Sequence, residues 1–204
     1  MADNNNEGPW ETEPNSLDFE ADDLRCAMRR NNLGVWCGYV GVGPEHPLFG
    51  LPTNHPLKLP RSWFEGRRGL EGTGPMDLFI HAMSGKRLED ACDISLAFQV
   101  HGGITYADHL SDSDKLWWFG FDCGHAGDYV PGLDRHGLIN DMIESMPIPN
   151  DARRIMRGIV GVIGVYRDQQ YVVAECQSLA AQLVAIVGVI ERENPDASSQ
   201  DRRD

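Results

Sequence analysis

A stripe of apolar residues near the C-terminus constrains the fold more than any other feature. Val172, Cys176, Leu179, Leu183, Ile186 and Ile190 recur at spacings of four and three, which aligns them along one side of an α-helix. The pattern predicts a helix over about 167–193, terminated by Asn194 and Pro195. At 1.5 Å per residue such a helix is roughly 40 Å long, enough to cross a whole domain. A stripe of that length needs an apolar surface to lie on.

Three segments can supply that surface as strands. Residues 35–42 (VWCGYVGV) are rich in β-branched and aromatic residues, residues 96–101 (LAFQVH) alternate, and residues 116–122 (LWWFGFD) are aromatic. Residues 159–165 (IVGVIGV) read as a buried strand, because Gly161 and Gly164 disfavour a helix interior. Residues 136–146 fit a short helix stopped by Pro147 and Pro149. Pro44, Pro47, Pro52, Pro56 and Pro60 make 43–60 an ordered loop, and His46 and His55 within it read as loop residues rather than ligands. Strands first and a long helix last predict an α+β fold: a mixed or antiparallel β-sheet with a long C-terminal helix packed across one face.

The chain has 204 residues, the size of one domain with tails. Residues 1–29 read as an acidic, largely disordered tail, since Asp3, Glu7, Glu11, Glu13, Asp18, Glu20, Asp22 and Asp23 repel one another among few apolar anchors. Residues 30–194 form the expected globular domain, and 195–204 a second disordered tail. The first residues lack the basic start and apolar run of a signal peptide. Arg167, Asp168, Gln169, Gln170 and Glu175 interrupt the apolar C-terminal stretch, which argues against a membrane span. Cys26, Cys37, Cys92, Cys123 and Cys176 are odd in number, widely spaced and form no CxxC pair, which fits a reducing, cytoplasmic compartment. The net charge of −13 argues against binding to nucleic acid or anionic membranes. It leaves room for a small anionic ligand in a local basic pocket.

Chemistry concentrates between residues 101 and 128. Strand parity puts Cys123 on the face of Trp117, Phe119 and Phe121, and Asp122 on the opposite face with Trp118 and Gly120. Cys123 therefore reads as a core residue rather than a nucleophile or ligand. His125 and Asp128 follow on a loop hinged at Gly124 and Gly127. Asp122, His125 and Asp128 offer oxygen and nitrogen ligands of the kind that hold Zn, Mn or Mg, or a general base with its orienting carboxylate. They also suit ordinary turn roles. A pocket built on Asp122, His125 and Asp128, with His101 and Glu175 at its wall, sets two carboxylates close together; it should bind a divalent metal or raise a carboxylate pKa. Gly102 and Gly103 can turn the chain or present N–H groups to a phosphate. Glu175, one turn from Tyr171, flanks the apolar stripe and needs a partner; an ion pair with Arg167 is one candidate. A simple hairpin of 96–101 with 116–122 would leave His101 and Asp122 roughly 20 Å apart, at about 3.3 Å per residue.

GYVGVGPEHPLFG (38–50), VHGGITYA (100–107), WWFGFDCGHAGD (117–128) and YRDQQYVVAECQSLAAQL (166–183) occur in this order. The set resembles a family of small bacteriophage and prophage proteins of actinobacterial hosts, marked by HGG and GFDCxHxGD motifs. His101, Gly102, Gly103, Asp122, Cys123, His125, Asp128, Tyr171 and Glu175 match the family's recurrent positions. The short, aspartate-rich 108–114 loop departs from it, which bears on substrate recognition. The resemblance implies phage origin, action in the host cytoplasm and, by context, a counter-defence role against host nucleotide signals.

Two functions from different classes fit these residues. The first is a hydrolase, phosphodiesterase-like, acting on a small nucleotide or phosphoester. His101, Asp122, His125, Asp128 and Glu175 would do the chemistry, metal-assisted through Asp122, His125 and Asp128 or His-based. The second is a binding protein, a candidate homo-oligomer, that sequesters such a nucleotide with Gly102, Gly103, Tyr106, Trp118 and Tyr171 around it. A third is an interaction protein that uses the acidic tail.

Overall fold

The computed structural model describes residues 8–64, 92–125, 127–135, 138–154 and 164–193. In chain order the elements are β1 (Ser16–Ala21), β2 (Leu24–Arg30), β3 (Trp36–Val42), β4 (Pro56–Leu57), β5 (Cys92–Asp93), α1 (Ile94–Ala97), β6 (Tyr106–Asp108), β7 (Trp117–Asp122), α2 (Pro131–Arg135), α3 (Leu138–Ser145) and α4 (Gln169–Glu193). Five strands form one sheet in the order β1-β2-β3-β7-β6, every neighbouring pair antiparallel. β4 and β5 pair separately. The long helix lies across the sheet, chiefly over β3, so the fold is α+β as the stripe predicts.

The stripe is the spine of the core. Val172, Cys176, Leu179, Leu183 and Ile186 are fully buried, and Ile190 packs at the edge. Across the interface stand Met28, Val40, Phe119 and Phe121. Gly38 makes the approach close: a Cβ there would lie 2.5 Å from the Phe121 ring and 2.8 Å from Cys176 Sγ. By length and composition alone α4 could cross a membrane, Glu175 notwithstanding, but its stripe is spent on the sheet. His46 pins the proline-rich loop to the helix: its Nδ1 accepts from the Leu48 N–H at 3.2 Å, so its Nε2 donates to the Leu183 carbonyl at 3.0 Å.

Several expectations need correction. The reading of residues 1–29 as a disordered tail fails from residue 8 onward. β1 and β2 form a hairpin turned at Asp22 and Asp23, both at positive φ (49° and 61°), a conformation aspartate tolerates better than most residues. On β1 the acids alternate with apolar residues. Leu17, Phe19 and Ala21 pack against the core, while Asp18 faces away and pairs with Arg29 at 2.6 Å. Glu13 is held still more firmly. Its carboxylate accepts from Arg30, Trp36 Nε1, Tyr166 OH and the Gln169 N–H at 2.6–3.1 Å. Burial alone would raise its pKa, and these hydrogen bonds outweigh burial to hold it below the ordinary value.

Residues 96–101 are not a strand. Ile94–Ala97 is a single helical turn and the chain then runs irregularly to His101; the fifth strand of the sheet is β6. Val165 is more than half exposed and makes an isolated parallel bridge with Asp128, so it is no buried strand residue. Residues 159–163, the rest of that expected strand, and 195–204, the expected tail, lie outside the described residues.

Candidate functional site

The hairpin that would have separated His101 from Asp122 does not exist. β6 starts at Tyr106 and runs antiparallel to β7, with Tyr106 opposite Gly120. Residues preceding β6 therefore lie beyond the far end of β7, where residues 123–128 emerge. Thr105 fixes this corner: its N–H donates to the Gly120 carbonyl at 2.8 Å and its hydroxyl to Asp122 Oδ2 at 3.3 Å. His101 is thus brought to the loop bearing His125 and Asp128.

Two glycines make the meeting possible. Gly102 and Gly103 have φ of +68° and +82°, and a Cβ on Gly102 would overlap the His125 imidazole. The pair is a turn, with the Gly103 N–H donating to Val100 O at 3.0 Å, and it lets His125 lie directly against the backbone. The His101 and His125 rings meet edge to face, centroids 5.4 Å apart.

Asp128 is the centre of the cluster. Its Oδ2 accepts from His101 Nε2 at 2.7 Å and from the His125 N–H at 3.0 Å; its Oδ1 accepts from Arg167 Nε at 2.8 Å. The carboxylate is 2% exposed and the His101 side chain 8%. Burial alone would raise the pKa of Asp128, but the bonds from His101, Arg167 and His125 hold it below the ordinary value. An ionised Asp128 makes His101 Nε2 the proton-bearing nitrogen. The Nδ1 of His101 lies 2.9 Å from Tyr171 OH, in hydrogen-bond contact. Burial, with Glu175 beside it, pushes the Tyr171 phenol up to about 12, so it keeps its proton.

The start of α4 supplies the other wall. Asp168 caps the helix by accepting the Tyr171 N–H at 2.8 Å, and Glu13 takes the Gln169 N–H. This orientation aims Tyr171 and, one turn later, Glu175 at residue 101. Glu175 Oε2 accepts the His101 N–H at 2.8 Å. The expected Glu175–Arg167 pair is absent: Arg167 is on Asp128. The backbone pairing of 127–129 with Val165 brings it there, with bonds of 2.9 and 3.0 Å.

The predicted residues do not all meet at one place. His101, His125 and Asp128 offer ligand atoms within 4.8 Å of one another and can hold a metal ion. Asp122, expected in that trio, stands outside it. Its Oδ1 is 3.8 Å from His125 Nδ1 and accepts the Gly124 N–H at 3.0 Å. The expected rise of a carboxylate pKa does not occur at Asp128: the hydrogen bonds from His101 and Arg167 lower it instead. Tyr106 and Trp118 are elsewhere. Both lie on the sheet face opposite α4, where Tyr106 packs on Tyr39 and donates to His109 O, and Trp118 donates to Asp114. Cys123 faces the core at 2% exposure, and burial pushes its thiol far up, with Asp128 adding to the effect. Arg167 is a site residue that the motifs do not point to; its one signal in the sequence is a cation directly before the helix cap Asp168.

No family model matches the chain, and neither a curated protein nor a solved structure does.

Proposed function

We propose that this protein is a metal-assisted hydrolase of a small phosphoester of the nucleotide type. The observation that carries the reading is the convergence of His101, His125 and Asp128 to within 4.8 Å at a loop beside a guanidinium. Two imidazoles and one carboxylate suit Zn²⁺ better than Mn²⁺ or Mg²⁺, which favour oxygen-rich sets. Three protein ligands leave a fourth position for water, and zinc lowers the pKa of bound water to about 7.

The surroundings support this reading. His101 holding a metal through Nε2 would carry its proton on Nδ1, and the Tyr171 hydroxyl, 2.9 Å away, could accept from it. Metal-bound imidazoles require such an outer partner. Nδ1 of His125 is buried without a hydrogen-bond partner, an orphan that a cation would satisfy. Of the residues expected to surround a sequestered nucleotide, Tyr106 and Trp118 are committed to the other face of the sheet, while Tyr171, Gly102 and Gly103 stand at the cluster. In the setting the motif resemblance implies, the cytoplasm of an infected bacterium, the substrate is a host nucleotide signal.

The test starts from the intact chain stripped with a chelator and reloaded separately with Zn²⁺, Mn²⁺ or Mg²⁺. Each form is incubated with cyclic nucleotides and ADP-ribose derivatives, and mass spectrometry follows before and after heat release. Retention of zinc at one ion per chain and product formation only in the loaded form are expected. A ligand recovered intact, with no product, would replace hydrolysis by sequestration. Failure to retain any of the three ions would overturn the metal centre.

A further inference from the structure

We infer that Arg167 is the anion-holding residue of this site, and that it takes a phosphoryl group only once a divalent cation is in place. The inference rests on the metal-centre reading above and adds to it a residue and an order of binding.

Arg167 is held along one edge and open along the other. Its Nε donates to Asp128 Oδ1 at 2.8 Å, and its guanidinium carbon stands 4.8 Å from the centroid of the Tyr171 ring. These contacts fix the plane of the group and use one of its five N–H donors. Among the described residues, Nη1 and Nη2 have no hydrogen-bond partner. The side chain is 28% exposed, beside a carboxylate at 2%. A planar fork with its root buried and its tines free is the form in which arginine binds phosphoryl oxygens in pairs.

Charge sets the order of binding. Asp122, Asp128 and Glu175 each touch the histidine cluster, and among the described residues Arg167 is the guanidinium against them. Three carboxylates against one guanidinium leave the pocket with an excess of acidic groups, within a chain of net charge −13. A phosphate entering the metal-free pocket is repelled. A divalent cation on His101, His125 and Asp128 cancels that excess. Asp128 would then be shared, one oxygen on the cation and the other on Arg167. Such a cation and Arg167, both held by Asp128, would together supply the positive charge that binds a phosphoryl group.

The experiment titrates inorganic phosphate into the intact chain, either metal-free or loaded with one equivalent of Zn²⁺ and desalted, and reads binding by calorimetry. Zinc retention by the parent is measured first, because its failure would remove the metal-centre reading itself. Phosphate should bind the zinc form and give no measurable heat with the metal-free form. Arg167→Gln should keep zinc and weaken phosphate about 10- to 100-fold, as expected for one charge-assisted pair. Arg167→Lys keeps a cation for Asp128 but has no free fork. It should remain folded and zinc-loaded with a similar loss, and it carries the test if the Gln variant does not fold. Equal phosphate binding with and without zinc, or parental affinity in a folded, zinc-loaded Arg167 variant, would overturn the inference and leave the metal centre standing.

Discussion

Between Leu179 and Val189 the buried side of α4 is wholly apolar, pressed on the sheet through Leu179, Leu183 and Ile186. Two turns nearer its start the same helix also offers a phenol and a carboxylate to the loop at His101. The two stretches are held by different physics. Apolar burial is non-directional and roughly proportional to area, so neighbours can partly relax around a defect. The polar end depends on pairing: Asp128 alone accepts from His101, His125 and Arg167, and loss of one acceptor strands several buried donors. The polar end should therefore be the more brittle, and the apolar stretch the more separable from function.

The largest effect should come from Asp128→Asn. It removes the charge facing Arg167 and His101, and breaking such a buried pair costs about 3–5 kcal/mol. Denaturant unfolding near neutral pH should show this loss, together with loss of zinc. The pH dependence sharpens the point. The Asp128 carboxyl sits below its ordinary value of 3.8, so its stabilising contribution is complete above that value and disappears as pH falls through the depressed one. The variant should lack this part of the acid limb and retain the part due to Glu13, which is depressed for the same kind of reason. An unchanged acid limb would mean that the Asp128 network contributes no net stability.

Leu183→Ala tests the apolar stretch. Burial lost plus the cavity left should cost about 2–5 kcal/mol. Zinc stoichiometry and phosphate binding should survive in the folded fraction. If they fail together with stability, the two ends of α4 form one cooperative unit and the contrast between them collapses. Tyr171→Phe should act in the opposite sense. It removes the outer partner of His101 Nδ1 and keeps the ring beneath Arg167, so zinc affinity should fall about 10- to 100-fold. Stability should change by only about 1 kcal/mol. Parental zinc affinity would show that Tyr171 packs beside the site without serving it.

What was legible in the sequence follows the same division. The stripe from Val172 to Ile190 announced a helix, and the aromatic runs announced β3 and β7, because burial imprints its period on residue type. β1 is hidden in the sequence because Asp18 and Glu20 on its outer face mask the alternation of Leu17, Phe19 and Ala21, and β2 is the second strand of the same hairpin. The run 96–101 misled in the reverse way: it alternates, yet Ile94 and Ala97 are buried as one helical turn. Of the site, His125 and Asp128 were legible as neighbours on one loop. The place of His101 at Asp128, and of Arg167 opposite it, depends on where β6 begins and on a single bridge at Val165. Contacts of that kind leave no period in the chain.

The smallest effect should come at Cys123, where the two kinds of environment meet. The residue follows Asp122 out of β7. Asp122 turns to Thr105 and Gly124, while Cys123 turns inward to the core and its N–H donates to Trp36 O at 2.9 Å. Burial, with Asp128 and Asp122 nearby, favours the neutral thiol, so the sulfur has neither the charge nor the access of a nucleophile. Replacing it removes one sulfur's packing and leaves every hydrogen bond of the site in place. Cys123→Ala should lose about 1 kcal/mol in chemical denaturation and retain zinc, phosphate binding and any turnover at parental levels. Cys123→Ser should be less stable than the alanine variant, because it buries a hydroxyl among Phe121 and its neighbours. A folded Cys123→Ala chain without function would move the chemistry from the Asp128 network to the sulfur. Equal stability of the serine and alanine variants would instead show that the polar environment extends past β7 into the core.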